Sequence, residues 1–220
     1  MEIFDFQFQS IKKFPLQQFK LIHTNKMPIV LTERIQQFSD VLNTALATID
    51  KTAYEIEPAL EKALDVLRIN RAQGGHLYII GNGGSAGVAA HAVTDFVNVA
   101  KLRASTLHDS SLLTCMSNDY GYDNAFKRIL ETMLKPQDVL IAISSSGKSP
   151  NIVKAAQYVH SVGGAVITFS GFDSENPLYQ SGHINFWLNS HDYGFIELGH
   201  AFLLHYVADR LRLERQEENV

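Results

Sequence analysis

The chain has 220 residues and a mass of 24.6 kDa, which suits one domain and leaves no room for a second sizeable one. Hydrophobic residues make up 45% and charged residues 19%, so the composition excludes a disordered chain and favours a globular oligomer. The formal net charge of −4 excludes the positive surface of a general nucleic-acid binder, and the single cysteine, Cys115, excludes an internal disulfide.

The sequence also carries signals about location. No segment approaches the roughly 18 consecutive apolar residues of a membrane-spanning helix. Glu2 and Asp5 stand where a secretory signal would have a basic region followed by an apolar one. A single cysteine is typical of a reducing compartment. Together these features predict a cytoplasmic protein that binds neither membrane nor nucleic acid directly.

Residues 1–28 differ from the rest of the chain because their aromatic side chains follow no sustained helical or strand period. These side chains are Phe4, Phe6, Phe8, Phe14 and Phe19. We expect a flexible N-terminal appendage, and a tail, a swapped arm or an alternative start at Met27 would each account for it. Residues 29–220 then form one domain.

Two amphipathic helices are predicted next. Thr32 is a good N-cap type, and apolar residues follow it at spacings of three and four. They are Ile35, Phe38, Leu42, Leu46 and Ile49. A second helix over residues 53–72 ends at a Gly-Gly pair. The pattern predicts a helical hairpin that serves packing or subunit assembly.

After Gly75 short apolar runs alternate with helical segments, which is typical of an α/β fold with a mostly parallel sheet. The predicted strands are residues 77–80, 105–107, 139–143, 165–170 and 184–188. The predicted helices are residues 85–98, 122–134, 150–162 and 195–214. The expected sheet therefore has five strands.

Two of these strands end in loops of small residues that lead directly into helices. Residues 81–85 read Gly-Asn-Gly-Gly-Ser, and residues 144–149 read Ser-Ser-Ser-Gly-Lys-Ser before Pro150. Glycine permits close backbone approach, and a helix N-terminus offers free N–H groups, so both loops suit a phosphate. The candidate ligand-binding residues are Asn82, Gly83, Ser85, Ser144, Ser145, Ser146 and Ser149. Neither loop matches a nucleoside-triphosphate or dinucleotide motif.

Ionisable residues recur at helical spacings. His91 and Asp95 lie four apart on one helix face, which suits a zinc site or an acid/base pair. Glu197, His200 and His205 lie on the last predicted helix, where eight residues separate Glu197 from His205 by roughly 12 Å of rise. For both to serve one site, Glu197 must precede the helix or the two must come from different subunits.

With these motifs in place, residues 31–212 resemble the sugar isomerase (SIS) family, and within it the phosphoheptose isomerases. The resemblance rests on both small-residue loops, on His91 and Asp95, on residues 115–126 with their Asn-Asp-Tyr-Gly-Tyr core, and on residues 196–205. It implies a flavodoxin-like three-layer sandwich in which residues 29–220 are a single SIS domain. It also implies an aldose–ketose isomerase that converts sedoheptulose 7-phosphate into D-glycero-D-manno-heptose 7-phosphate through an enediol.

The resemblance further implies roles for individual residues. The serines hold the sugar phosphate, and Asp109 and Asp119 lie near the substrate. Asp95 is the catalytic base and His205 the acid. The implied ligands of one zinc ion per subunit are His91, Asp95, Glu197 and His205, and Glu197 also contacts substrate. The implied assembly is a homotetramer.

Three positions depart from the family pattern. Asp95 replaces a glutamate, Glu197 replaces a glutamine, and Val99 replaces an arginine that helps to hold substrate. A shorter carboxylate arm reduces catalysis when orientation matters. The alternative is a non-catalytic SIS protein that binds a phosphosugar or associates with a replication initiator, but the retained set of ionisable groups favours the enzyme.

Overall fold

A computed structural model of the chain describes residues 29–217, and within this range there are seven α-helices and seven strands. The helices are α1 (Leu31–Asn43), α2 (Ile56–Ala72), α3 (Gly84–Asn98), α4 (Ser110–Tyr120), α5 (Ala125–Met133), α6 (Pro150–Ser161) and α7 (Tyr193–Glu217). The strands are β1 (Leu46–Ile49), β2 (Thr52–Tyr54), β3 (His76–Ile80), β4 (Arg103–Thr106), β5 (Val139–Ser144), β6 (Ala165–Gly171) and β7 (Ile184–Leu188). The predicted appendage, residues 1–28, lies outside the described residues.

One sheet has the strand order β2-β1-β7-β6-β5-β3-β4. The five strands from β3 to β7 are parallel, whereas β1 and β2 join antiparallel at the β7 edge. The chain runs from β3 outward to β4 and then returns to β5 on the other side of β3. The predicted α/β class and flavodoxin-like order are confirmed, and the carboxyl ends of β3 and β5 meet at the switch point where open sheets bind ligands.

Alternation along the buried strands produces a core on each face of the sheet. Leu77 and Ile79 of β3 face the layer formed by α1, α2, α3 and α7. Tyr78 and Ile80 face the layer that contains α5 and α6. Because both faces are covered, the parallel strands are apolar throughout, as expected for the middle layer of a three-layer sandwich.

The N-terminal prediction needs a correction. The first helix ends at Asn43, and Leu46 and Ile49, assigned above to its apolar stripe, belong instead to β1. Strands β1 and β2 form a hairpin between α1 and α2, so the two helices are not a hairpin and each packs against α7. The sheet therefore has seven strands rather than five. After Asn43 only Leu46 and Ile49 continue the helical spacing, and the hydrogen bonds that these residues' strand forms with β7 stabilise the extended conformation instead.

The segment between β4 and β5 also differs from the prediction. The sequence did not predict helix α4, whose apolar face is short: Leu112, Leu113 and Met116 are only partly buried against the core, and none of its residues is fully buried. The predicted helix over residues 122–134 is a 3₁₀ turn at Tyr122–Asn124 followed by α5. Among residues 29–217, no helix combines the length and apolar character needed to cross a bilayer.

Candidate active site

The two small-residue loops enclose a cleft of about 250 Å³ at the carboxyl ends of β3 and β5. Ser85, Ser144 and Ser145 are almost fully buried in its wall. The residues that line the cleft are Asn82, Gly83, Gly84, Ser85, Ser144, Ser145, Ser146, Ser149, Tyr193 and Glu197. Seven of these were candidates from the sequence for ligand binding at the two loops, and the structure brings them together.

The first loop needs its glycines for two different reasons. Gly83 adopts a φ of 53° immediately before α3, a conformation that side chains rarely tolerate. At Gly84, a Cβ atom would overlap the carboxylate of Glu197 from α7. The N-terminal turn of α3 therefore opens directly onto the cleft and presents its unpaired N–H groups there.

The second loop supplies hydroxyl groups. Ser149 occupies the N-cap position of α6 without a side-chain capping bond, and its Oγ accepts a hydrogen bond of 3.1 Å from Ser144. The hydroxyls of Ser85 and Ser145 approach to 3.4 Å and so link the two loops. Because hydroxyls and two helix N-termini converge on one small volume, the cleft is suited to a phosphate group.

Three ionisable side chains lie close together further along α3 and α7. The Nε2 atoms of His91 and His205 are 2.9 Å apart, and His205 Nδ1 is 2.9 Å from Asp95 Oδ2. The distance from His91 Nε2 to Asp95 Oδ2 is 3.7 Å. One ligand atom from each residue lies within 4.8 Å of the others. We call these three residues the His–Asp cluster.

The His–Asp cluster fits a divalent cation. Asp95 Oδ2 is buried and accepts no hydrogen bond, because the short contact with His205 lacks hydrogen-bond geometry. A buried carboxylate oxygen without a donor is unstable by itself. Two imidazole nitrogens and a carboxylate oxygen form the donor set that zinc prefers, so a bound cation would satisfy the oxygen.

Glu197 is not part of the His–Asp cluster within one protomer. It lies in the second turn of α7, beside Gly84, whereas His205 lies eight residues further along the same helix. The possibility that Glu197 precedes the helix is therefore wrong. Of the four residues expected to bind one metal, one protomer brings three together and places the fourth, Glu197, in the lining of the cleft.

The two aspartates expected near the substrate lie outside the cleft lining. Asp109 is the N-cap of α4, and its Oδ1 accepts a hydrogen bond of 2.9 Å from the backbone N–H of Leu112. Asp119 is exposed and accepts hydrogen bonds from Asn118 Nδ2 and Cys115 Sγ. Within one protomer, both carboxylates have local structural partners.

Three residues at the site were not found from the sequence. Tyr193 lines the cleft, one helical turn before Glu197 on the same face of α7, so the spacing of four could have revealed it. Tyr122 and Asn151 both form hydrogen bonds with the side chain of Asn82. No spacing rule links these two residues to Asn82, since they approach it only through the fold.

Two histidines near the site are held neutral by burial. His200 is completely buried below Glu197 on α7, and burial lowers its pKa to about 4 although it contacts the Ser170 carbonyl oxygen at 3.1 Å. Burial also lowers the pKa of His108, and a hydrogen bond with the backbone of Gly81 opposes this shift. Neither imidazole therefore contributes a positive charge to the cleft near neutral pH.

The fold and the cleft together define an open-sheet α/β protein with a serine- and glycine-lined cleft at its switch point. The SIS domain matches residues 38–171 of this chain. Phosphoheptose isomerases are similar: that of Citrifermentans bemidjiense is 34% identical over 166 residues, covering 73% of this chain and 86% of the relative. That of Helicobacter hepaticus is 34% identical over 167 residues, covering 73% and 85%.

A solved structure is similar as well. The phosphoheptose isomerase GmhA from Neisseria gonorrhoeae superimposes with a TM-score of 0.66 at 27% identity, covering 83% of this chain and 99% of that one. The chain therefore belongs to the SIS domain family, in its phosphoheptose isomerase branch. It is an enzyme, an isomerase of the phosphosugar class.

Proposed function

We propose that the enzyme interconverts sedoheptulose 7-phosphate and D-glycero-D-manno-heptose 7-phosphate in the cytoplasm, as a homotetramer with one zinc site per subunit. The two small-residue loops, residues 81–85 and 144–149, bind the phosphate through their serine hydroxyls, and the His–Asp cluster acts at the carbonyl end of the sugar. The relatives named as phosphoheptose isomerases support this substrate.

The observation that carries the proposal is the separation between the cleft and the His–Asp cluster. His91 follows Ser85 by six residues on α3, a rise of about 9 Å along the helix. A long sugar chain with its phosphate at one end and its carbonyl at the other suits such a separation.

Proton transfer is assigned to two side chains. Asp95 takes a proton from C1 of the ketose and returns it to C2, and His205 moves a proton between the C1 and C2 oxygens, so the enediol forms and collapses without net change in protons. Asp95 has two oxygens for two duties. Oδ2 contacts the imidazoles of His91 and His205, and Oδ1 takes part in neither contact.

The same residues are the proposed ligands of the metal ion. His91, Asp95 and His205 would hold a zinc ion, and Glu197 from a neighbouring subunit would complete the set. When bound, the cation polarises the sugar carbonyl and stabilises negative charge on the enediolate. The aspartate in place of glutamate is compatible with this role, since its Oδ2 atom already lies 2.9 Å from His205 Nδ1.

The test is a turnover assay with zinc-supplied protein and sedoheptulose 7-phosphate. We expect the wild-type enzyme to form the aldose phosphate, and His205→Ala to lose turnover while its far-ultraviolet circular dichroism stays unchanged. Wild-type protein that is folded, loaded with zinc and inactive on this substrate would refute the proposed reaction.

A further inference from the structure

A pair of asparagine side chains joins the two phosphate-binding loops. Asn82 Nδ2 donates to Asn151 Oδ1 at 2.8 Å, and Asn151 Nδ2 donates to Asn82 Oδ1 at 3.0 Å. Asn82 lies in the loop after β3, and Asn151 lies in the first turn of α6, where it is only 1% exposed. The pair therefore joins the two loops through one buried and one half-buried side chain.

The orientation of both amides follows from one backbone group. The N–H of Ile152 donates to the Ser149 carbonyl oxygen at 3.1 Å and also to Asn151 Oδ1 at 3.0 Å, and an N–H can only donate. That oxygen must therefore be the acceptor, so the Asn82 atom facing it must be the donor Nδ2. Asn82 Oδ1 then faces Asn151, and the second N–H of Asn82 Nδ2 is left for the cleft.

Tyr122 secures the same orientation from the opposite side. Its hydroxyl donates to Asn82 Oδ1 at 2.8 Å, although about half of its surface is exposed. The turn that carries Tyr122 is fastened to α6 by Lys154, whose Nζ lies 3.2 Å from Asn124 Oδ1 and 3.8 Å from Asp123 Oδ2. Asn82 Oδ1 thus accepts two hydrogen bonds, from Tyr122 and from Asn151, and both would break if the amide rotated to point this oxygen towards the cleft.

We propose that Tyr122 and Asn151 are positioning residues that hold Asn82 as a hydrogen-bond donor towards the phosphate group. This inference rests on the proposed function, because it names how the same cleft selects its anionic ligand. An amide turned the other way would present a carbonyl oxygen to the phosphate, and two acceptors repel. The segment that contains Asp119 and Tyr122 then contributes to the site through the Tyr122 hydroxyl, which holds Asn82 in place.

Tyr122→Phe tests the inference, and Tyr120→Phe is its matched control. Both tyrosines are 48% exposed, but the Tyr120 hydroxyl forms no hydrogen bond with the described residues, and its ring packs under Arg128. For Tyr122→Phe we expect the dissociation constant of inorganic phosphate and the KM of sedoheptulose 7-phosphate to rise about fivefold, with kcat changed less than about twofold. Tyr120→Phe should change neither.

A double-mutant cycle shows whether the hydroxyl acts through Asn82. In an Asn82→Ala background, adding Tyr122→Phe should produce no further loss of phosphate affinity. An equal fivefold loss in both backgrounds, or a Tyr122→Phe variant that behaves like Tyr120→Phe, would overturn the inference alone. Wild-type protein that does not bind inorganic phosphate would overturn the inference together with the proposed function.

Discussion

Among individual residues, Asp95 faces the strictest requirement in the proposed mechanism, where one short carboxylate contacts both imidazoles and also transfers the proton. Its Oδ2 atom is buried without a hydrogen-bond donor between two histidines. In the family pattern a glutamate occupies this position. Local packing of α3 against α7 brings the shorter side chain within reach of both rings.

Asp95→Asn should lower turnover by at least about 100-fold, because a carboxamide is neither a base nor an anionic ligand. Zinc affinity, measured by calorimetric titration, should fall in parallel, while the unfolding midpoint stays close to that of wild type because the side chains have the same size. Asp65→Asn on α2, which removes an ion pair with Arg68 away from the cleft, is the control. Normal turnover by Asp95→Asn would exclude this residue as the base.

His200 should make the free energy of unfolding depend on pH. The unfolded chain protonates this ring near pH 6.5, whereas the folded chain resists protonation until about pH 4. The contribution of His200 to the free energy of unfolding is therefore fully present above pH 6.5 and is lost as the pH falls from 6.5 towards 4. The shift in pKa corresponds to about 3 kcal/mol.

The measurement is denaturant unfolding of wild type and His200→Gln at both ends of that range. Glutamine keeps a donor for the Ser170 carbonyl oxygen but does not titrate. We expect the variant to lose less stability on acidification than the wild type does. Equal losses would show that the buried imidazole does not control acid stability.

At the scale of elements, the contact between α3 and α7 offers a matched pair of glycines. A Cβ atom at Gly84 would overlap the Glu197 carboxylate, whereas a Cβ at Gly87 would meet nothing within 4 Å. Both glycines lie in α3, Gly84 as its first residue and Gly87 one turn further along, where the helix-propensity gain of alanine applies in full.

Gly87→Ala should therefore raise the free energy of unfolding by about 0.5–1 kcal/mol and leave turnover unchanged. Gly84→Ala should displace Glu197 from the cleft and lower kcat/KM without unfolding the protein, because the overlapping atoms are the free end of a flexible side chain. Thermal unfolding and steady-state kinetics on both variants test this contrast. Unchanged kinetics of Gly84→Ala would show that the position of Glu197 is irrelevant to substrate.

The β1–β2 hairpin shows where local patterns mislead at this scale. Leu46 and Ile49 continue the helical spacing of α1, yet both residues pair with β7. The turn between the strands, Asp50-Lys51, has positive φ at both positions, as a two-residue hairpin turn of type I′ requires. Neither residue is glycine or asparagine, so the usual sequence signal of such a turn is missing.

At the scale of the whole molecule, α7 presents an apolar surface beside the His–Asp cluster. Leu198 is 61% exposed and Phe202 is 54% exposed, and His205 follows on the same helix face. Exposed apolar residues grouped in this way favour a subunit interface. An interface here would also allow a second subunit to contribute Glu197.

Phe202→Glu should dissociate the proposed homotetramer and abolish turnover, because a charge at the centre of an apolar interface is costly to bury. Val162→Glu, at a residue that is 55% exposed at the end of α6, is the control and should leave the assembly intact. Sedimentation velocity measures both. A Phe202→Glu variant of unchanged size would place the subunit interface elsewhere.

The sequence by itself determined the parallel strands, the two loops that follow β3 and β5, and the pairing of His91 with Asp95. These features depend on neighbours along the chain, whose spacing is set by the regular geometry of helices and strands. Only the tertiary structure decided that β1 and β2 extend the sheet, that Glu197 faces the phosphate cleft, and that Tyr122 reaches Asn82. Those outcomes join residues 40 or more positions apart, and such contacts depend on how the layers pack rather than on any local period.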